Sequence, residues 1–116
     1  MAKCLWCGRH GPFLKTTDVG LCLECHTNLQ SEILPRIEKI EIATRGIKKT
    51  QDYQKIIEFC DEIIFNSREL MKYHDKGIPL ANQTPPELIS TYSSIRDQAY
   101  REMIEDEKGR DNGGGT

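Results

Sequence analysis

Cys4-Leu5-Trp6-Cys7-Gly8 and Cys22-Leu23-Glu24-Cys25-His26 are the two stretches that decide the fold of this chain. Each stretch contains a Cys-x-x-Cys pair, and two cysteines at that spacing can present both sulfurs to one ion if the turn after them tolerates a positive φ. Gly8 gives the first pair that tolerance. The spacing therefore predicts a four-thiolate zinc site formed by Cys4, Cys7, Cys22 and Cys25.

The second cysteine pair leads into a different local structure from the first. Residues 26–34 contain no glycine and are expected to be helical. One pair on a glycine-terminated knuckle and one at the start of a helix resemble the treble-clef class of zinc fingers, which includes GATA-type and nuclear-receptor modules. The resemblance covers residues 4 to about 33. It implies a small finger continuous with the first helix, which in the DNA-binding members enters the major groove.

Four cysteines at this spacing have two other interpretations besides a zinc site. Disulfides are the main alternative, but the chain opens with Met-Ala-Lys and no signal peptide, so we expect a reducing, cytoplasmic environment. Iron bound by the same sulfurs, as in rubredoxin-like knuckles, is the other alternative. A filled four-sulfur shell leaves no position for water or substrate. The metal is therefore predicted to be structural.

Beyond the finger, apolar residues recur every three or four positions, which is the spacing of amphipathic helices. This periodicity predicts helices over residues 23–45, 51–75 and 84–108. Short connections favour an up-down-up bundle of antiparallel neighbours. We therefore predict a mainly α protein with a small zinc-bound β-hairpin and a three-helix bundle. The predicted segments are a finger (residues 1–33), the bundle (34–108) and a flexible tail (109–116).

Local signals predict where the helices begin and end. A glycine followed by an isoleucine, at residues 46–47 and 77–78, predicts a left-handed C-cap for each of the first two helices. Thr50 and Thr84 are the expected N-caps of the second and third helices. Pro35 predicts either a kink in the first helix or its division into two.

The finger itself is expected to contain a hairpin between the two cysteine pairs. Its arms would be residues 11–15 and 19–22, on either side of the polar turn at residues 16–18. Phe13, with Leu14, Leu21 and Trp6, would then form the apolar cluster of the finger.

The second helix has an apolar stripe wider than one neighbouring helix covers. Ile57, Ile64 and Met71 broaden this stripe, and we predict that they bind a protein partner or a second copy of the chain. Cys60 lies in the same stripe and is expected to be a small buried side chain rather than a reactive thiol.

Nucleic-acid binding through the finger is the alternative function. Its candidate residues are Arg9, Lys15, Lys48 and Lys49. The helix after the second pair, however, has no Lys or Arg before Arg36 and carries two glutamates. A recognition helix needs cations that pair with phosphates. The resemblance to DNA-binding fingers therefore implies the metal site, and we do not extend it to the recognition of DNA bases.

The net charge and the motifs of the chain argue against several other classes of function. The net charge of −2 argues against a strongly basic nucleic-acid binder, and no apolar run reaches the length of about 18 residues that spans a membrane. No glycine-rich phosphate loop, nucleophile elbow or His-Glu-x-x-His motif occurs, so the chain is not expected to be an enzyme. The three consecutive glycines at residues 113–115 raise a third possibility, an accessory N-terminal domain of a larger protein.

Overall fold

The computed structural model describes residues 2–80 and 83–114, with side chains as far as residue 107. In chain order it contains two short strands, β1 and β2, and three helices, α1 to α3. Their bounds are Ala2–Lys3, His10–Gly11, Leu23–Lys49, Tyr53–Asp75 and Pro85–Gly114. The described part of the chain is therefore mainly helical with a small antiparallel hairpin, which confirms the predicted class at that level.

The hairpin encloses the first cysteine pair and does not lie between the two pairs. Ala2 pairs with Gly11 and Lys3 pairs with His10. Gly8, with φ +76°, makes the turn inside the hairpin and donates its N–H to the carbonyl of Cys4 at 3.1 Å. The predicted position between the pairs is wrong, and the segment there keeps one bridge, from Thr16 to Cys22. Closing the Cys-x-x-Cys turn is what brings residues 2–3 and 10–11 side by side.

Helix α1 runs without interruption from Leu23 to Lys49, with Pro35 inside it. Of the two possibilities for Pro35, the division into two helices is therefore wrong, and the kink stays a prediction. A proline within a helix removes one backbone hydrogen bond, here to the carbonyl of Ser31, and the rest of the helix remains paired. The helix also continues through Gly46, where a left-handed C-cap was predicted. Gly46 does not have a positive φ, whereas Gly77 does.

Gly46 serves close packing between helices. A Cβ atom built on Gly46 would lie 2.6 Å from Cζ of Phe59 on α2. That distance is far inside van der Waals contact, so the absence of a side chain lets the ring of Phe59 lie against the backbone of α1. The glycine at residue 46 therefore reflects contact with α2 and not the end of a helix.

We expect Gly46→Leu to destabilise the protein by about 2 kcal/mol, because overpacking an interface outweighs the better helix propensity of leucine. Urea unfolding followed by circular dichroism measures the change. Adding Phe59→Ala should make the leucine much less harmful, so that the two substitutions are strongly non-additive. A Gly46→Leu variant as stable as the parent would show that the two helices do not approach as described.

The end of α2 agrees with the sequence-based expectation. Gly77 has φ +82°, and its N–H donates to the carbonyl of His74 at 2.9 Å. The N–H of Ile78 reaches back to the carbonyl of Tyr73 at 3.1 Å, which completes a Schellman motif. Ile78 is buried, so the segment that follows α2 packs against the core.

The two predicted N-caps have different outcomes. Thr84 precedes α3 as predicted, and its hydroxyl accepts from the N–H of Glu87 at 3.4 Å. Asp52, and not Thr50, caps α2, since its carboxylate accepts from the N–H of Gln54 at 3.0 Å. Thr50 instead accepts from the N–H of Asp52 at 3.2 Å and so supports the cap.

Helix α2 lies between α1 and α3 and runs antiparallel to both. Towards α1, Asn66 accepts from Arg36 at 3.2 Å, while Phe59, nearer the start of α2, faces Gly46, nearer the end of α1. Towards α3, the carboxylate of Asp61 accepts from the guanidinium of Arg96 at 2.6 Å. Within the described residues, no Cα atom of α1 lies within 8 Å of one in α3. The molecule is elongated, with principal extents of 79 × 19 × 17 Å.

This arrangement corrects the predicted use of the wide stripe on α2. Ile57 and Ile64 are buried within the chain, at 6% and 8% exposure, and Met71 is half-buried. Ile57 and Ile64 are therefore not free to bind a partner. The stripe is wide because α2 packs against two helices of its own chain.

Helix α3 extends to Gly114, beyond its predicted end near residue 108. The segment predicted as a flexible tail, residues 109–116, is thus helical as far as residue 114, and residues 115 and 116 lie outside the described residues. No proline interrupts this end, and a glycine costs a helix only about 1 kcal/mol relative to alanine. Glycine alone therefore does not set where the helix stops.

Candidate metal centre

The four predicted cysteines converge on one point. The Sγ atoms of Cys4, Cys7, Cys22 and Cys25 all lie within 4.8 Å of one another. The sulfurs of Cys7 and Cys22 are 4.0 Å apart. Tetrahedral coordination with metal–sulfur bonds of about 2.3 Å places sulfurs about 3.8 Å apart, so this cluster could hold a metal ion. All five cysteines of the chain are free thiols, so the structure does not agree with the disulfide alternative.

Two different local structures aim the sulfurs. The first pair lies in the turn that the hairpin closes, where the N–H of Cys4 donates to the carbonyl of Arg9 at 2.9 Å. The second pair lies at the start of α1: Cys22 is the N-cap residue, and its side chain makes no capping hydrogen bond. Its sulfur is therefore available to the cluster. The positive end of the helix dipole there favours thiolates over thiols.

The surroundings of the cluster shift the pKa values of two of its thiols in opposite directions. Burial by itself would raise the pKa of Cys4, but the backbone N–H groups of Cys22, Cys7 and Trp6 donate to its sulfur and lower the pKa to about 6. Burial, together with hydrogen bonds to the sulfurs of Cys22, Cys7 and Cys4, raises the pKa of Cys25 to about 12. Thiols held this close share protons, and a bound cation would replace those protons.

The cluster is closed towards the protein and open on one side. Cys4 and Cys22 are buried, Cys25 is half-buried, and Cys7 is exposed. An ion can therefore reach the sulfurs past Cys7 without unfolding the helices. Once four sulfurs are bound, the shell has no remaining position.

His26 follows the second pair directly but is engaged elsewhere. Its Nδ1 lies 2.7 Å from the hydroxyl of Thr17, and its Nε2 lies 2.7 Å from the amide nitrogen of Gln30. These contacts tie the turn before α1 to the first turns of the helix. The histidine thus braces the segment that carries Cys22 and Cys25.

Residues 2–22, the segment before α1 that we call the finger, share one core with the helices. Cys4, Leu21 and Cys22 belong to the same buried cluster as Leu29 of α1 and Tyr73 of α2. The cysteine cluster is therefore part of the core of the molecule and not a separate unit attached to it. Cys4 and Cys22 pack within the same core that joins α1 to α2.

Trp6 makes the main contact of the finger with α2. Its indole packs on the ring of Tyr73, with ring centroids 5.1 Å apart and an interplanar angle of 34°. Leu21 is buried and Leu14 partly buried, as predicted for the finger cluster, but Phe13 is 94% exposed. The expected packing of Phe13 is wrong because the hairpin lies elsewhere and leaves residues 12–13 in a surface turn.

Tyr73 is the functional-site residue that sequence reasoning missed. It is 1% exposed, and its hydroxyl donates to the carboxylate of Glu32 on α1. Burial and this contact with Glu32 raise the pKa of Tyr73 to about 12. A signal was present, since Phe59, Asn66 and Tyr73 recur every seven residues on the face of α2 that meets α1.

The candidate nucleic-acid residues are not brought together. Arg9 lies in the finger, 3.8 Å from the carboxylate of Glu24, and Lys15 lies in the same region. Lys48 and Lys49 occupy the last turn of α1, at the opposite end of a 27-residue helix that is about 40 Å long. Two exposed cationic sites so far apart do not form one patch.

Comparison with known protein families, with curated proteins and with solved structures gives no match for this chain. None of the helices in the described part of the chain is long and apolar enough to span a membrane. Function must therefore be argued from the cysteine cluster and from the surfaces of the helices.

Proposed function

We propose that this chain is a zinc-stabilised, non-catalytic helical module that binds a protein partner or a second copy of itself. The observation that carries the proposal is the convergence of four sulfurs within 4.8 Å, inside a core that also contains residues of α1 and α2. A metal bound there fixes the finger to the helices. The helical surfaces are then the part of the molecule left for binding.

The metal in this proposal is zinc. Four thiolates in a small cluster suit zinc, and iron at the same sulfurs is the alternative. A four-sulfur shell gives the ion neither water nor substrate, which is why the proposed role is structural. In a small module the binding free energy of such an ion is also folding free energy, of the order of 10 kcal/mol.

The finer architecture in the proposal is a treble-clef finger at the base of a three-helix bundle. One cysteine pair in a glycine turn between paired strands, and the other at the start of a long helix, support the treble clef. The position of α2 between antiparallel neighbours supports the bundle. The order of the elements is consistent with both.

Elemental analysis of purified protein tests the metal. We expect one zinc per chain, and we expect Cys22→Ser to lose it. Cys60→Ala is the matched control, because Cys60 is buried on α2 and is not part of the sulfur cluster. Protein without zinc or iron, or zinc retained in Cys22→Ser, would contradict the proposal.

Binding to a protein partner is tested by pull-down from the source cell with the metal-loaded protein, and with the chelated protein as control. We expect capture that depends on the metal, because the finger orients α1 and α2. Nucleic-acid binding is less favoured, since Arg9 and Lys15 lie far from Lys48 and Lys49. A gel shift at low salt that is abolished by substitutions at these residues would reverse this order.

A further inference from the structure

A groove of about 540 Å³ separates α1 from α3. It exists because α2 packs against both helices while α1 and α3, in their described parts, do not approach each other. Its apolar lining comes from all three helices and from the connection before α3. The apolar residues are Ile37, Ile40, Leu70, Leu80, Pro85 and Leu88. We call this the α1–α3 groove.

The rim of the α1–α3 groove on α1 is basic. Arg45 and Lys48 line it, together with one carboxylate, that of Glu41, which lies 3.9 Å from Arg45. Lys48 is exposed and has no ion-pair partner among the residues whose side chains are described. An apolar groove with a basic rim suits an amphipathic helix that carries acidic residues.

The chain itself contains such a helix. Glu102 lies beside Tyr53, the first residue of α2, since its charge raises the pKa of the tyrosine hydroxyl. The charge of Asp106 acts on the same hydroxyl, and past Glu102 α3 continues to Gly114, about 12 residues or roughly 18 Å. We call residues 100–107 the α3 end.

The α3 end is both acidic and partly apolar. Residues 101–107 contain four carboxylates and one arginine, a net charge of −3. Tyr100 is 49% exposed, and Ile104 lies one turn further along the same face. Among the carboxylates, Glu105 and Glu107 are exposed. The α3 end therefore has the charge and the apolar residues that the α1–α3 groove would accept.

We propose that two copies of the chain form a symmetric dimer in which the α3 end of each copy lies in the α1–α3 groove of the other. The proposal rests on the proposed function and names its partner as a second copy. Charge complementarity selects this occupant, because the basic rim and the acidic end belong to the same chain. In a twofold dimer the same contact is made twice, so the two α3 ends together form two equivalent interfaces.

Sedimentation equilibrium on the zinc-loaded full chain, over a concentration series, tests the dimer. We expect a monomer–dimer equilibrium that weakens as sodium chloride is raised, because the rim and end charges are exposed. A groove variant, Arg45→Glu with Lys48→Glu, and an end variant, Glu105→Lys with Glu107→Lys, should each weaken self-association by about tenfold or more.

Mixing the two variants is the decisive measurement. The reversed groove of one variant then faces the reversed end of the other, while the remaining groove and end are both native. Every contact in the heterodimer is complementary, so association should return to near the parent level. Lys39→Glu with Lys55→Glu is the matched control, with the same change of charge at exposed positions outside the groove, and it should associate like the parent.

A zinc-loaded parent that stays monomeric at high concentration overturns this dimer and leaves the metal site and a different protein partner intact. Failure of the mixture to associate when each variant alone is weakened also overturns it. Loss of zinc from a dimeric parent would instead contradict the proposed function alone. Helical circular dichroism confirms that each variant is folded, and Lys48→Gln and Glu105→Gln replace any variant that is not.

Discussion

Chelating the zinc that we propose for the finger is expected to shift the fluorescence of Trp6 to longer wavelength while much of the helical circular dichroism remains. Trp6 is the only tryptophan of the chain, and it lies between the two residues of the first cysteine pair and packs on Tyr73. Without the ion, the loop that carries it keeps only the short hairpin, the burial of Cys4 and a hydrogen bond from the N–H of Leu5 to the carbonyl of Gly20 at 2.9 Å. The indole then leaves the ring of Tyr73 and meets water.

The helices should respond less because several of their buried side chains lie outside the cluster that contains the finger. The buried apolar residues outside the cluster that contains the finger come from α2 and α3. These residues are Ile57, Cys60, Ile64 and Ala99. Packing between α2 and α3 does not depend on the cysteine sulfurs, so this pair should stay helical after chelation.

Two variants bracket this prediction. Cys7→Ser changes an exposed ligand without removing a core side chain, and it should give the chelated emission even with zinc present. Cys60→Ala should keep the parent emission until chelator is added. An emission maximum that does not move when the metal is removed would show that the finger is held by packing alone.

Tyr73→Ala is expected to lower the free energy of unfolding by about 4 kcal/mol, the cost of removing a large buried aromatic side chain. The ring is 1% exposed and joins three parts of the molecule, namely Trp6 in the finger, Glu32 on α1 and its own helix. Denaturant unfolding measures the loss. The metal should nevertheless stay bound, because Tyr73 supplies no ligand.

Tyr73→Phe separates the ring from the hydroxyl. The phenylalanine keeps the packing on Trp6 and removes only the donor to Glu32, so the expected cost is about 1 kcal/mol. Trp6 emission should shift in Tyr73→Ala and stay near the parent value in Tyr73→Phe. Equal losses in the two variants would mean that the contact with Glu32, and not the packing of the ring, accounts for the contribution of Tyr73 to stability.

The cysteine cluster was the part of the molecule most accessible from sequence, for a physical reason. Two sulfurs three residues apart are brought together by a local turn, and Gly8 makes that turn possible at the position where it was predicted. The position of the hairpin was not accessible in the same way. Strand pairing between residues 2–3 and 10–11 is a consequence of the closed turn, and two-residue strands carry no periodicity of their own.

Gly46 and Gly77 show where local patterns stop being sufficient. Both are followed by an isoleucine, and both were predicted to end a helix. Gly77 does so. Gly46 instead makes room for Phe59, which lies 13 positions further along the chain and is therefore not part of the local pattern around residue 46. The breadth of the stripe on α2 is similar: the pattern was detected, but which helices cover it is a property of the tertiary arrangement.

The elongated form of the chain affects how it moves through solution. The radius of gyration is 20.0 Å, whereas a compact chain of this length has about 13 Å. Friction rises with length, so a single copy of 13.3 kDa will diffuse like a considerably heavier sphere. A gel-filtration column calibrated with round proteins would therefore report an apparent dimer for the monomer, and only a method that weighs the particle independently of its shape can tell one copy from two.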